Sequence, residues 1–166
     1  MSQNGMGENQ DRRNFFISYT NRDRQWAEWI AWWLEEAGYT LFIQAWDFRP
    51  GSNFVAEMDK AAKCAERTLL VLSPAYLESN YAFAEWATAF HDDPQGTYGR
   101  LLPVRIKPCK AVGLLGSLVY IDLVDLDEAQ ARERLLEGVQ QERVKPAAVA
   151  FPGNVIPHES SAHIPA

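Results

Sequence analysis

Residues 67–73 read RTLLVLS, a near-continuous apolar run that ends in a serine and is followed by Pro74. A strand with one wet face alternates apolar and polar residues, whereas a parallel strand covered by helices on both faces does not. The run therefore predicts a central parallel strand with helices on either side of its sheet. The flanking sequence agrees. NFFISYT (14–20) is a short aromatic and β-branched run suited to a first buried strand. NRD (21–23) offers N-cap chemistry, and Trp26, Trp29, Ile30, Trp33, Leu34 and Ala37 then recur at amphipathic-helix spacing until Gly38. YTLFIQ (39–44) predicts a second strand, AWDFRPGSNF (45–54) a turn or longer loop marked by Pro50-Gly51, and Val55 to Ala65 a second helix.

Beyond the central run, Pro74 to about His91 predicts one or two helices, broken by DDPQGTYG (92–99). LLPVRI (101–106) predicts a fourth strand that Pro103 pushes toward an edge or irregular position. Residues 107–117 are expected to form a loop or short helix, LVYIDL (118–123) a fifth strand, and Asp127 to about Arg143 a final helix opened by Asp-Glu. Five alternations of strand and helix predict a doubly wound parallel α/β sheet. The expected organisation is a disordered polar lead over 1–12, one domain over 13–143, and a proline-bearing linker over 144–166 that leads to a further module.

Composition narrows the function. A chain of 166 residues with 47% hydrophobic and 23% charged residues suits one packed domain. A net charge of −6 argues against direct nucleic-acid binding, which needs a concentrated cationic face. No run of 18 apolar residues occurs and MSQNGMGENQDRRN lacks a signal-peptide core, so neither a membrane span nor export is expected and the cytoplasm is the expected compartment. Cys64 and Cys109 are isolated, and His91, His158 and His163 are scattered, so no structural metal is expected.

In an open parallel sheet, ligands bind beyond the carboxyl ends of the strands where the strand order reverses. That rule gathers Ser18, Tyr19, Thr20 and Asn21 after the first strand, Trp46 and Asp47 after the second, and Ser73 after the third. Phosphate-loop and dinucleotide glycine motifs are missing, as is a GxSxG nucleophile elbow. Residues 79–90, SNYAFAEWATAF, hold one charged side chain, Glu85, four residues beyond Tyr81 and so on the same helical face. By spacing alone such a glutamate is more often solvated than functional. Aromatics at strand ends more often cap a core than touch a ligand.

FFISYTNRDRQWAEWIAWWLEEAGY (15–39), WDFRPG (46–51) and LLVLSPAYLESNYAFAEW (69–86) resemble, in order and spacing, the bacterial branch of TIR (Toll/interleukin-1 receptor) domains. The resemblance covers about residues 13–143 and implies a flavodoxin-like five-stranded parallel sheet with helices on both faces. It further implies an NAD+ glycohydrolase that releases nicotinamide plus ADP-ribose or a cyclic ADP-ribose isomer, with Glu85 as catalytic residue. Tyr19, Thr20, Asn21, Trp46, Asp47 and Tyr81 would contact the substrate, and Arg22 or Arg24 would serve its phosphates. Tyr81 stands where the family usually has Trp, which keeps a smaller stacking surface.

The same resemblance makes Arg49, Pro50, Gly51 and Phe54 a mobile loop that closes over the site or reaches a neighbouring subunit. NAD+ is substrate rather than cofactor, and no cofactor is implied. The implied partners are further copies of the domain and a sensor or oligomerisation module, in anti-phage defence. A non-catalytic module that signals through TIR–TIR contacts, or a nucleotide sensor without turnover, would carry the same fold.

Overall fold

Five parallel strands form one sheet in the order β2-β1-β3-β4-β5, so β3 has a neighbour on each side. The strands are β1 (Arg13–Ser18), β2 (Leu41–Ile43), β3 (Ala65–Leu72), β4 (Leu101–Arg105) and β5 (Ile121–Asp122). The helices are α1 (Arg24–Glu36), α2 (Gln44–Asp47), α3 (Phe54–Cys64), α4 (Pro74–Glu78) and α5 (Glu128–Gly138). This is the flavodoxin-like doubly wound order, and it reverses between β1 and β3. The computed structural model describes residues 12–79, 100–111 and 115–154. Tyr81, Glu85 and the helix expected to reach His91 lie outside the described residues, as do residues 1–11 and 155–166.

The two faces of the sheet sort by alternation along each strand. Phe15 and Ile17 of β1 and Leu69 and Val71 of β3 point to one face, where Ala27, Ile30, Ala31 and Leu34 of α1 and Ala131 and Leu135 of α5 cover them. Phe16 points to the other face against Ala61 of α3, and Leu70 and Leu72 pack there against Tyr76 of α4. Both faces of β3 are thus buried, as the RTLLVLS run predicts, and the strand begins two residues earlier, at Ala65.

Several local expectations are corrected by packing. The stripe of α1 that meets the sheet is Ala27, Ile30, Ala31 and Leu34, while Trp26, Trp29 and Trp33 are half-buried along its flanks and Ala37 is exposed. Two alanines let the helix backbone approach the strands, and the indoles seal the sides. Residues 44–47, expected to end the second strand and begin a loop, form the single helical turn α2.

The fifth strand is confined to Ile121 and Asp122. Val119 is 90% exposed, and the Tyr120 ring is covered by the Arg105 guanidinium 5.1 Å from its centroid, so this part of the apolar run lies outside the sheet. α5 stops at Gly138 rather than near Arg143. A Cβ at Gly138 would lie 2.5 Å from the Ile121 side chain, and the buried Arg67 guanidinium donates to the Val139 carbonyl at 2.7 Å, closing the helix end.

Pro103 sits inside the sheet order, not at its edge. Arg100 accepts from Thr68 N–H at 2.7 Å and Ile106 N–H donates to Leu72 at 3.0 Å, so even-numbered residues of this strand bond to β3. Pro103 faces the opposite flank, where pairing with β5 begins only at Val104. Its missing N–H therefore costs no bond of the described ladder.

Leu70→Ala is expected to destabilise the fold by about 2–5 kcal/mol, the range for a fully buried leucine, in a denaturant titration. Val119→Ala should stay within about 0.5 kcal/mol of the parent.

A second expectation concerns acid. The Arg105 guanidinium bonds both carboxylate oxygens of Asp122, at 3.1 and 2.8 Å, and holds that carboxyl below its ordinary value. A carboxyl lowered on folding contributes stability above its unfolded value, and the contribution is lost as pH falls through the folded value. Below pH about 4, Asp122→Asn should therefore lose stability less steeply with falling pH than the parent.

Candidate functional site

Every strand of a parallel sheet ends on the same side, so the segments leaving β1 and β3 must diverge there to opposite faces. Between them lies a cleft of about 780 Å³. One wall is Tyr19, Thr20, Asn21 and Arg22, the segment between β1 and α1. Gln44 and the first residues of α3, Phe54 and Val55, line a second side. Ala75 and Glu78 of α4, with Ser79 just beyond it, complete the described lining.

Side-chain hydrogen bonds hold these walls. Ser18, the last residue of β1, bonds through its hydroxyl with the Tyr76 hydroxyl at 3.0 Å. Ser73 caps α4 by accepting from Tyr76 N–H at 3.0 Å, with Pro74 at the first helical position where no N–H is needed. Asn53 caps α3 by accepting from Ala56 N–H at 3.0 Å. Residues 49–52 form a turn in which Ser52 N–H donates to the Arg49 carbonyl at 3.1 Å. Gly51 has φ +90° there, the third-position geometry of a type II turn, and Pro50 supplies the second position.

Asp23 departs from its expected role. It occupies the N-cap position of α1 but makes no cap bond, and its fully buried carboxylate turns inward instead. There it accepts from Thr20 Oγ1 at 3.1 Å, from Ser73 Oγ, and from Lys107 Nζ at 3.4 Å. Asp23 and Lys107 are site-supporting residues that sequence reading missed. Asp23 reads in sequence as an ordinary cap, and Lys107 lies 84 positions away.

The structure brings Tyr19, Thr20, Asn21 and Phe54 together in the cleft. Tyr19 is half-buried, and burial raises its phenol above the ordinary value against the opposing pull of Arg24, so it is a neutral donor at physiological pH. Arg22 lines the cleft, while Arg24 pairs with Glu28 at 3.3 Å. Phe54, expected to act in the loop, also stacks edgewise on Phe48 with centroids 6.0 Å apart.

Trp46 and Asp47 are not in the described lining. Trp46 is 41% exposed, and Asp47 accepts from Ile43 N–H at 2.7 Å and from the Arg13 guanidinium at 3.3 Å. Arg49 and Pro50 are exposed. Tyr81 and Glu85 lie two and six residues beyond Ser79, outside the described residues. Among the described residues no group of three His, Cys, Asp or Glu is placed to hold a metal, and no helix is long and apolar enough to cross a membrane.

A family model for the TIR domain matches residues 15–136. The stimulator of interferon genes protein of Magallana gigas is 32% identical over 114 residues, which are 66% of this chain and 28% of that protein. The chain thus spans under a third of the length of this curated relative. Among solved structures, a metazoan TIR-STING receptor from C. gigas in complex with 2',3'-cGAMP matches with a TM-score of 0.66 and 27% identity, over 78% of this chain and 40% of that one. The TIR domain of the Toll-related receptor TRR-2 from Hydra magnipapillata matches with a TM-score of 0.60 and 23% identity, over 75% of this chain and 93% of that one.

The bonds of Asp47 tie β1 to the turn after β2. Asp47→Ala should lower stability by about 1–2 kcal/mol in a denaturant titration by freeing Ile43 N–H and Arg13.

Proposed function

Because the chain belongs to the TIR domain family, we propose that its cleft binds NAD+ and that Glu85 drives cleavage of the nicotinamide–ribose bond. The observation that carries this reading is the position of the cleft. It lies at the reversal point of the sheet, has a volume in the range of small-molecule sites, and has Ser79 in its wall. Glu85 follows within six residues, a span of at most about 20 Å of extended chain.

The chemistry suits a site with one carboxylate. Nicotinamide in NAD+ is a cationic leaving group that departs neutral, so neither metal nor general acid is needed. Positive charge grows instead on the ribose, as in glycoside hydrolysis. A carboxylate held against that ribose in a water-poor cleft stabilises the transition state more than the ground state. Tyr19 and Tyr81 flank the ring or ribose, Thr20 and Asn21 offer polar contacts, and Arg22 faces the phosphates. Attack by water gives ADP-ribose, and attack by a nucleophile of the substrate itself gives a cyclic isomer.

We further propose that self-association controls the site. Trp46, Phe54 and Val55 are exposed apolar residues within ten positions, and Phe54 and Val55 also rim the cleft, so a neighbouring copy that covered them would close it. Residues 144–153 are exposed, with one short 3-10 turn at Pro152–Asn154, which suits a linker to a sensor module. The C. gigas receptor, of which this chain matches 40%, supports that arrangement. The bacterial anti-phage setting rests on the motif resemblance, whereas the C. gigas and Hydra receptors are metazoan.

The test is NAD+ consumption followed by chromatography over a range of protein concentrations. Nicotinamide release should rise more than proportionally with concentration, and Glu85→Gln should reduce it by about 100-fold or more without loss of fold. Intact NAD+ at every concentration would leave a non-catalytic interaction module.

A further inference from the structure

The strongest feature that NAD+ cleavage does not account for is the buried carboxylate of Asp23. A charge removed from water is costly unless paired and hydrogen-bonded, and an N-cap aspartate has no need to be buried. Asp23 is fully buried, and its three partners come from three places in the chain. Thr20 belongs to the cleft wall after β1, and Ser73 caps α4, which carries the opposite wall. Lys107 follows β4, keeps half of its side chain in water, and brings its ammonium to 3.4 Å.

We propose that Asp23 is the positioning residue of the cleft. Its carboxylate fixes Thr20–Arg22 against the start of α4, and the Lys107 ammonium, 3.4 Å away, holds that carboxylate from a third segment. This role deepens the NAD+ reading and rests on it. The gap between the two walls is where the nucleotide must fit, and both walls hang on one anion. The bond to Ser73 leaves that hydroxyl able to accept from Tyr76 N–H, so the same contact orients the first turn of α4. Asp23 itself does not line the cleft and touches no substrate.

Asp23→Asn keeps an acceptor oxygen and removes the charge, and Lys107→Met removes the countercharge alone. Either change loosens walls that contact substrate in ground and transition states alike, so the loss should appear in KM, with kcat largely retained. Weakening one charge-assisted contact to the substrate predicts a KM higher by about 10- to 100-fold. Lys107→Arg, which restores the positive charge, should return KM toward the parent value.

Amide hydrogen exchange gives a readout independent of turnover. In Asp23→Asn the amides of residues 19–22 and 75–79 should exchange faster together, while those of Phe15–Ile17 and Leu69–Val71 keep their protection. Unchanged KM, a fall in kcat alone, or faster exchange across the whole sheet would overturn the proposal. If the parent protein consumes no NAD+, the enzymatic reading falls and the exchange data decide alone. Joint loosening of the two walls then supports the coupling, and loosening of one wall overturns it.

Discussion

The constraint on which the rest depends is the burial of β3 on both faces between two parallel neighbours. Its backbone groups bond to β1 and β4, and its side chains alternate into two separate cores. A strand so enclosed has no free surface except at its ends. The cleft accordingly lies at the carboxyl edge, where β1 delivers Tyr19–Arg22 and β3 delivers Ser73 and α4. The cleft follows from chain direction, because adjacent connections leave this edge for opposite faces.

Divergence opens a space but does not hold its width. The walls come from segments about 50 residues apart in sequence, and backbone hydrogen bonds of the sheet end at Ser18 and Leu72. Beyond that point polar side chains must do the holding. Ser18 with Tyr76, and Asp23 with Thr20, Ser73 and Lys107, supply the contacts. In a low-dielectric setting a paired carboxylate has few alternative arrangements that satisfy it, and this restricts how the walls can sit.

The fold was legible in sequence because burial on two faces leaves a periodicity that short windows can detect. RTLLVLS announces an interior strand, NFFISYT a second, and the Pro50-Gly51 pair a turn whose geometry the positive φ of Gly51 bears out. The misreadings share a cause. LVYIDL is apolar enough for a strand, yet Val119 and Tyr120 stand outside the sheet, since hydrophobicity does not reveal how far a neighbouring strand extends. The tryptophans of α1 dominate its hydrophobic pattern, but Ala27, Ile30, Ala31 and Leu34 are the residues buried in the core, with the tryptophans only half-buried beside them.

The sequence by itself determined the class of fold, the order of its elements and the family, because periodicity, turn residues and motif spacing are local properties of the chain. It also brought Tyr19, Thr20 and Asn21 to the correct edge, since that placement follows from strand direction. Only the tertiary structure decided that Phe54 and Arg22 line the cleft, that Asp47 is engaged with Arg13 and Ile43, and that Asp23 turns inward to Ser73 and Lys107. Those outcomes depend on contacts between residues far apart in the chain, and a side chain's partner cannot be read from its own neighbourhood.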